Sequence, residues 1–277
     1  MSGFSASDAA IEGFQVIRVH WRVVLGWCLF SVLAFVALLF LAFVGIAGTT
    51  LAAASRAEAG VLGSWIGGLT MGLGGIAVQC LVVVALYRLM LRPGAGPGIF
   101  YLRLSRDEGR LFGLWLVMLA GLLAGLTAAY GALRALTSIG GVAAGIGTLA
   151  VLGLVVWIAI RLSLAGPVNF ASGRFGLAQS WRLTRGRFWA LFGMALLAGC
   201  LLMLIAVVLF IVIALLQAGI GGFRTLAPVD LADPQAVADR PGAYVLGFIA
   251  ELVIGPLFLV IGQAPFVAAY KALADED

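Results

Sequence analysis

A chain of 277 residues that is 63% apolar and 10% charged, with a mean hydropathy of +1.15, carries more apolar material than a water-soluble fold can cover. The excess sits in unbroken runs longer than the roughly 18 residues that mark a transmembrane helix, which excludes a soluble globular enzyme and predicts an all-α polytopic membrane protein. A net charge of +5, with its arginines placed at the borders of apolar runs, excludes a nucleic-acid-binding surface.

The chain opens on an amphipathic stretch, SDAAIEGFQVIRVHWR at 7–22. At helical spacing Ile11, Phe14, Ile17 and Trp21 share one side, with Asp8, Glu12 and Gln15 opposite, as in a helix lying in the membrane interface. Arg18, His20 and Arg22 then lead into a first span at 23–48. Glu12 and the length of that span argue against a cleaved signal peptide, so the first span is expected to be retained. His20, at an amphipathic edge, reads as an interfacial side chain and not as a metal ligand.

A second span is predicted at 61–89 and ends in ALYR, 85–88. The following approach, PGIFYLRLSRDEGRLF at 97–112, aligns Arg103, Arg106 and Arg110 on one helical face and Phe100, Leu104 and Leu111 on another. The third and fourth spans, 111–133 and 139–164, are divided only by Arg134 and a Thr-Ser-Ile-Gly-Gly turn, which predicts a tight hairpin. The fourth ends in IAIR, 158–161. A third approach, FASGRFGLAQSWRLTRGRFW at 170–189, places Leu177, Trp181 and Thr184 on one face. Arg174, Arg182, Arg185, Arg187 and Trp189 surround its entry into the fifth span, 188–218. The connection 221–242 carries Asp230, Asp233 and Asp239, whose spacing fits a capped helical turn and no calcium loop. The sixth span, 243–270, ends in AAYK, 268–271.

Of the 17 Lys and Arg residues, thirteen fall in the N-terminus, the second-to-third and fourth-to-fifth connections and the C-terminus. Arg56, Arg134, Arg224 and Arg240 occupy the other three loops. The positive-inside asymmetry therefore places both termini in the cytoplasm. The similar approaches and span ends divide 1–277, a single integral membrane domain, into three parallel units at 1–96, 97–169 and 170–277. Each unit would be an interfacial helix followed by a transmembrane hairpin, and together they would form a basic, aromatic collar around a six-helix bundle. Common ancestry is one reading of that repeat; every cytoplasmic end meeting the same headgroups is the other.

Within the spans, Gly63/Gly67, Gly68/Gly72, Gly121/Gly125 and Gly141/Gly145 have the spacing of close helix packing, expected to be intramolecular. Cys28, Cys80 and Cys200 lack metal-ligand spacing and read as small packing residues with no disulfide. Glu251 is the most informative interior ionisable residue. It is either a polar site for a proton, cation or substrate, or an interfacial side chain if the sixth span begins later. Gln79, Gln217 and Gln263 are weaker candidates for hydrogen bonds between helices, and Pro256 and Pro265 allow irregular geometry in the last span.

No phosphate-binding loop, dinucleotide fingerprint, nucleophile elbow, zinc-protease helix or paired CxxC appears, and Ser31, Ser64 and Ser163 have no base in reach of the pattern. No metal, cofactor or catalytic residue is therefore expected. The stretch RLSLAGPVNFASGRFGLAQSWRLTRGRFWALFG, with Arg161, Pro167, Ser180, Trp181, Leu183, Thr184, Arg185, Gly186 and Trp189, resembles a family of bacterial six-span proteins. These are related to the membrane domain of glycerophosphoryl diester phosphodiesterases. The terminal PFVAAY and the six-span layout extend the resemblance over most of the chain. It implies a structural signature after the fourth span, and no phosphodiesterase activity, because these 277 residues hold no separate soluble domain.

The expected function is that of a non-enzymatic membrane protein that binds or organises anionic lipids or scaffolds an envelope protein. The expected lipid or interface contacts are Arg18, Arg22, Arg106, Arg110, Arg174, Trp181, Arg182, Arg185, Arg187 and Trp189. A transporter using the interior around Glu251 and Gln263 is the alternative, with an intramembrane enzyme behind it. Self-association is left open by the sequence.

Overall fold

A computed structural model describes residues 6–52, 55–92, 99–137, 140–221 and 241–274. Among the described residues the secondary structure is helical, with no strand. Nine α-helices follow one another among these residues: α1 (Ala6–Val19), α2 (Trp21–Ala52), α3 (Arg56–Leu91), α4 (Arg106–Thr137), α5 (Gly141–Leu162), α6 (Ala165–Ser172), α7 (Leu177–Leu183), α8 (Phe188–Gly221) and α9 (Pro241–Ala274). Six helical segments are long and apolar enough to cross a membrane, at Trp21–Ala52, Glu58–Leu91, Arg106–Thr137, Gly141–Ser172, Phe188–Gly219 and Val253–Ala274. The chain is a multi-pass membrane protein. Its helices overrun the expected spans because the flanking basic, aromatic and small residues continue the helix beyond the apolar run.

Burial is uneven among the spans: 39% of the most apolar stretch of α9 and 33% of that of α3 are buried, against 6% for α2 and for α8. The last two therefore carry outward rows of large apolar side chains, Phe40, Phe43, Met203 and Phe210 among them, as expected of membrane-spanning helices.

The helices gather into two compact units. Unit one is Met1–Ala10, Val84–Ala195 and Pro265–Asp277. Its fully buried side chains include Leu86, Tyr87, Leu111, Leu114, Leu164, Val168, Leu191, Met194, Val267 and Leu273. Unit two is Ile11–Val83 and Leu196–Ala264. It buries Val24, Trp27, Cys28, Cys80, Val82, Val83, Val260 and Ala264.

The expected tight hairpin between the third and fourth spans is present, with α4 ending at Thr137 and α5 starting at Gly141. Gly147 of α5 lies where a Cβ would come within 2.5 Å of Leu136 and 3.2 Å of Leu133, so the missing side chain sets the closeness of the two helices. Of the four small-residue pairs, only Gly63/Gly67 meets a neighbouring helix, against Ile46 and Thr49 of α2. A Cβ on Gly68, Gly72, Gly121, Gly125, Gly141 or Gly145 would meet nothing within 4 Å. Spacing alone does not choose a packing face: these glycines lie on surfaces no other described helix covers. Cys28 and Cys80 are buried as expected, and the Cys28 thiol points at the Val253 carbonyl, 3.5 Å away. Cys200 corrects the expectation, because it faces outward from α8.

Of the three expected interfacial helices, only the first is a single helix. On α1 the protein-facing side is small, Ala9, Ala10, Gly13 and Val16, while Ile11 remains exposed. A Cβ on Gly13 would sit 2.6 Å from the Ile261 Cα, so glycine is what lets α1 lie against the backbone of α9. The described part of the second approach, 99–112, is not one helix. It is a short turn, Ile99–Tyr101, then four residues outside any helix, then α4 from Arg106. Phe100 (φ 52°) and Tyr101 (φ 61°) stand in the left-handed region, which costs a residue with a Cβ. The third approach is two short helices, α6 and α7, separated at Gly173, whose φ of 67° closes α6.

Candidate anion-binding site

Two features of unit one bring basic residues together. The first begins where the second approach fails to be a helix. Ser105 and Glu108 form a reciprocal cap: the Ser105 amide donates to Glu108 Oε2 at 2.8 Å, and the Ser105 hydroxyl accepts from the Asp107 amide at 3.2 Å. That Ser-x-x-Glu box starts α4 at Arg106 and turns Glu108 inward, where it is 6% exposed. Arg88, from the last turn of α3 and 8% exposed, meets it with Nη2 2.5 Å from Oε1.

The remaining donors of Arg88 are spent on the connecting loop. Nη1 donates to the carbonyls of Tyr101 at 3.0 Å and Arg103 at 3.3 Å, and Nη2 also donates to the Ser105 hydroxyl at 2.9 Å. The Ser105 hydroxyl in turn donates to Glu108 Oε2 at 2.6 Å. A buried ion pair is tolerable only when its lone pairs and protons are satisfied in this way. The left-handed turn at Phe100 and Tyr101 is held by the same guanidinium, since it aims the Tyr101 carbonyl at Arg88.

Beside this network lies a cleft of about 250 Å³ lined by Arg88, Arg92, Tyr101, Arg103, Leu104, Ser105 and Asp107. Asp107 pairs with Arg110, three residues on, and Arg110 also donates to the Gly173 carbonyl. Arg92 continues the α3 backbone pattern, its amide bonded to the Arg88 carbonyl at 2.9 Å, and its guanidinium lies 4.8 Å from the centroid of the Phe170 ring. Phe170 in turn packs on Tyr87, with centroids 5.9 Å apart. Arg92 and Arg103 are exposed. Among the described residues the ion pairs are Arg88–Glu108 and Arg110–Asp107, so neither Arg92 nor Arg103 faces a bonded carboxylate.

The second feature is the seat of α7 on the end of α5. The Ser180 hydroxyl donates to the Arg161 carbonyl at 2.8 Å, and the Thr184 hydroxyl reaches the Ser180 carbonyl at 3.0 Å. Both residues are fully buried, so the inward face of α7 is Gly176, Ser180 and Thr184, and not the expected Leu177, Trp181 and Thr184. A small polar stripe allows α7 to cap a carbonyl left open at the end of α5. Trp181 packs edge-on against Trp157, with centroids 5.0 Å apart, and the Arg161 guanidinium lies 5.5 Å from each ring. Nε and Nη1 of Arg161 are buried without a hydrogen-bond acceptor. Cation–π attraction stands where a carboxylate would otherwise be needed.

The residues expected to meet lipid divide accordingly. Arg18, Arg22, Arg106, Arg174, Arg182 and Arg185 are exposed, Arg22 lying 5.3 Å from the Trp21 ring centroid. Trp189 is 78% exposed and packs edge-on against Phe188 and Phe192. Arg187 is only partly exposed. Arg110, another of the expected contacts, is engaged by Asp107 and by the Gly173 carbonyl. Trp181 is both a surface residue and half of the Arg161 clamp. Glu251 falls within α9, ten residues after its start at Pro241, and its side chain lies outside the described residues. Asp230, Asp233 and Asp239 also lie outside them. Gln263 is partly buried, Gln79 is exposed, and α9 runs unbroken through Pro256 and Pro265. No group of three or more His, Cys, Asp or Glu side chains converges as a metal site among the described residues.

The residues that the sequence left out are Arg88, Arg92, Tyr101 and Glu108. The readable signal was Ser105-x-x-Glu108 in front of an apolar run, together with arginines four apart at the end of α3. No family model, curated protein or solved structure matches the chain.

Proposed function

We propose that this protein is a non-enzymatic membrane protein that binds anionic lipid headgroups at the cytoplasmic ends of its spans. One observation carries the reading: a preformed cleft holds two arginines, Arg92 and Arg103, that have no carboxylate partner among the described residues, at a span end of a multi-pass membrane protein. Arginine forks match phosphate oxygens, and each basic residue at headgroup depth is worth roughly 1 kcal/mol of attraction to an anionic surface. The exposed Arg182 and Arg185 beside Trp189 extend the same chemistry across the start of α8. The resemblance to six-span membrane domains is part of the proposal and adds no catalytic group to it.

The test compares phospholipid retained through detergent purification by the parent chain and by variants with Arg92 and Arg103, or Arg182, Arg185 and Arg187, replaced by glutamine. The parent is expected to keep anionic over zwitterionic lipid and to lose that preference as salt rises. Equal retention by parent and both variants would reject lipid binding through these arginines and leave them with topology alone.

A further inference from the structure

We infer that the Arg92–Arg103 cleft selects a phosphomonoester lipid, a headgroup carrying two negative charges, over the singly charged phosphodiester lipids. The inference rests on the anionic-lipid reading above and narrows it to one class. Among the described residues, two further charged side chains line the cleft, Arg88 and Asp107; Glu108 and Arg110 are their ion-pair partners, and Arg106 precedes Asp107 in the chain. Arg88 is matched by Glu108 and Arg110 by Asp107, while Arg106 is exposed and does not line the cleft. The cleft is left with the two charges of Arg92 and Arg103. A phosphomonoester carries about −1.5 to −2 at pH 7, its second pKa lying near 6.

The two arginines are also held in position. Long cationic side chains at a surface ordinarily lose entropy when they close on an anion. Here Arg92 is held over the Phe170 ring, and the backbone at Arg103 is fixed because its carbonyl accepts from buried Arg88. The neighbouring backbone at Phe100 and Tyr101 is held in an unfavourable conformation by the same guanidinium, as at sites where a loop is organised before its ligand arrives. Tyr101 also lines the cleft.

Size and polarity supply the rest. A volume of about 250 Å³ equals about eight waters of liquid, below the roughly 300–1,000 Å³ of a site for a whole drug-sized molecule. It admits a phosphate and the first atoms attached to it, and leaves acyl chains outside. Leu104 lines the same cleft and is 90% exposed. An apolar side chain so exposed beside two arginines fits an amphiphile, whose chains cover it, better than free phosphate, which would leave it in water.

The experiment uses the full-length chain in neutral micelles and measures, by native mass spectrometry, binding of dispersed phosphatidic acid, phosphatidylglycerol and inorganic phosphate. The parent is expected to hold phosphatidic acid about five- to tenfold more tightly than phosphatidylglycerol, the effect of one further charge met by arginine. That ratio should shrink toward one as pH falls from about 7.5 to about 5, through the second ionisation of the monoester. R92Q/R103Q should abolish the preference, and L104S should weaken both lipids while leaving their ratio. Both substitute exposed side chains, and elution as a single species checks their folding.

Equal binding of the two lipids, lost together in R92Q/R103Q, would overturn the monoester inference and leave the lipid reading intact. Failure of either lipid to exceed phosphatidylcholine would overturn both. A phosphatidic acid preference that survives R92Q/R103Q would place selection elsewhere and overturn the inference. Inorganic phosphate binding as tightly as phosphatidic acid would overturn the lipid part in favour of a soluble anion.

Discussion

Removing the Glu108 carboxylate would leave the Arg88 guanidinium buried with only neutral acceptors, and it would unpin the carbonyls of Tyr101 and Arg103 that Arg88 holds in place. Breaking one side of such a pair costs about 3–5 kcal/mol, far more than loss of a surface ion pair. Glu108→Ala is therefore expected to lower the midpoint of thermal unfolding in detergent, whereas Glu58→Ala, at the exposed start of α3, should leave it nearly unchanged. Replacing Arg88 and Glu108 together by Met and Leu should recover much of the loss, because no unpaired charge then remains. The cap half of this arrangement was legible as Ser105-x-x-Glu108. The pairing with Arg88 was not, because it joins residues 20 apart through a turn with two left-handed aromatic residues, which no periodicity announces.

Among the elements, the spans were the legible part, since apolar runs of more than about 20 residues have one inexpensive solution in a bilayer. The short elements between them were not. Residues 170–189 suggest one amphipathic helix, yet Gly173 stops α6, and α7 turns small polar residues inward because a carbonyl of α5 needs donors. A helical wheel sorts residues by polarity and has no account of a neighbour's open hydrogen bonds. Ser180→Ala and Thr184→Val should each cost about 1 kcal/mol. Hydrogen exchange at 177–187 is the sensitive measurement: amides there should exchange faster while those of α5 and α8 keep their protection. Unchanged exchange would mean that the Trp157–Arg161–Trp181 stack alone holds α7.

At the scale of the whole molecule, the arginine distribution predicts a direction as well as a number of crossings. With Cys28, Cys80 and Cys200 replaced, Ser172→Cys should react with a membrane-impermeant maleimide only from the cytoplasmic face, and Ser55→Cys only from the opposite one. Both serines are exposed and follow opposite ends of spans. Reversed labelling would invert the orientation and move the arginine cleft to the other leaflet. The candidate polar interior around Glu251 was the sequence's strongest hint of transport, and it rested on one residue within a long apolar helix. The arginine cleft was less visible because its parts are the end of one span, a loop and the start of the next.

The separation of Arg88 from Glu108 also has a consequence for biogenesis. Chains grow at about 5–20 residues per second, so the 20 residues between the two give roughly one to four seconds between the emergence of the cation and the emergence of its carboxylate. For that interval the end of α3 cannot settle into its final burial, and it stays in a polar environment until the first turn of α4 arrives. The pair therefore predicts an order of assembly: the third span starts before the second is finished.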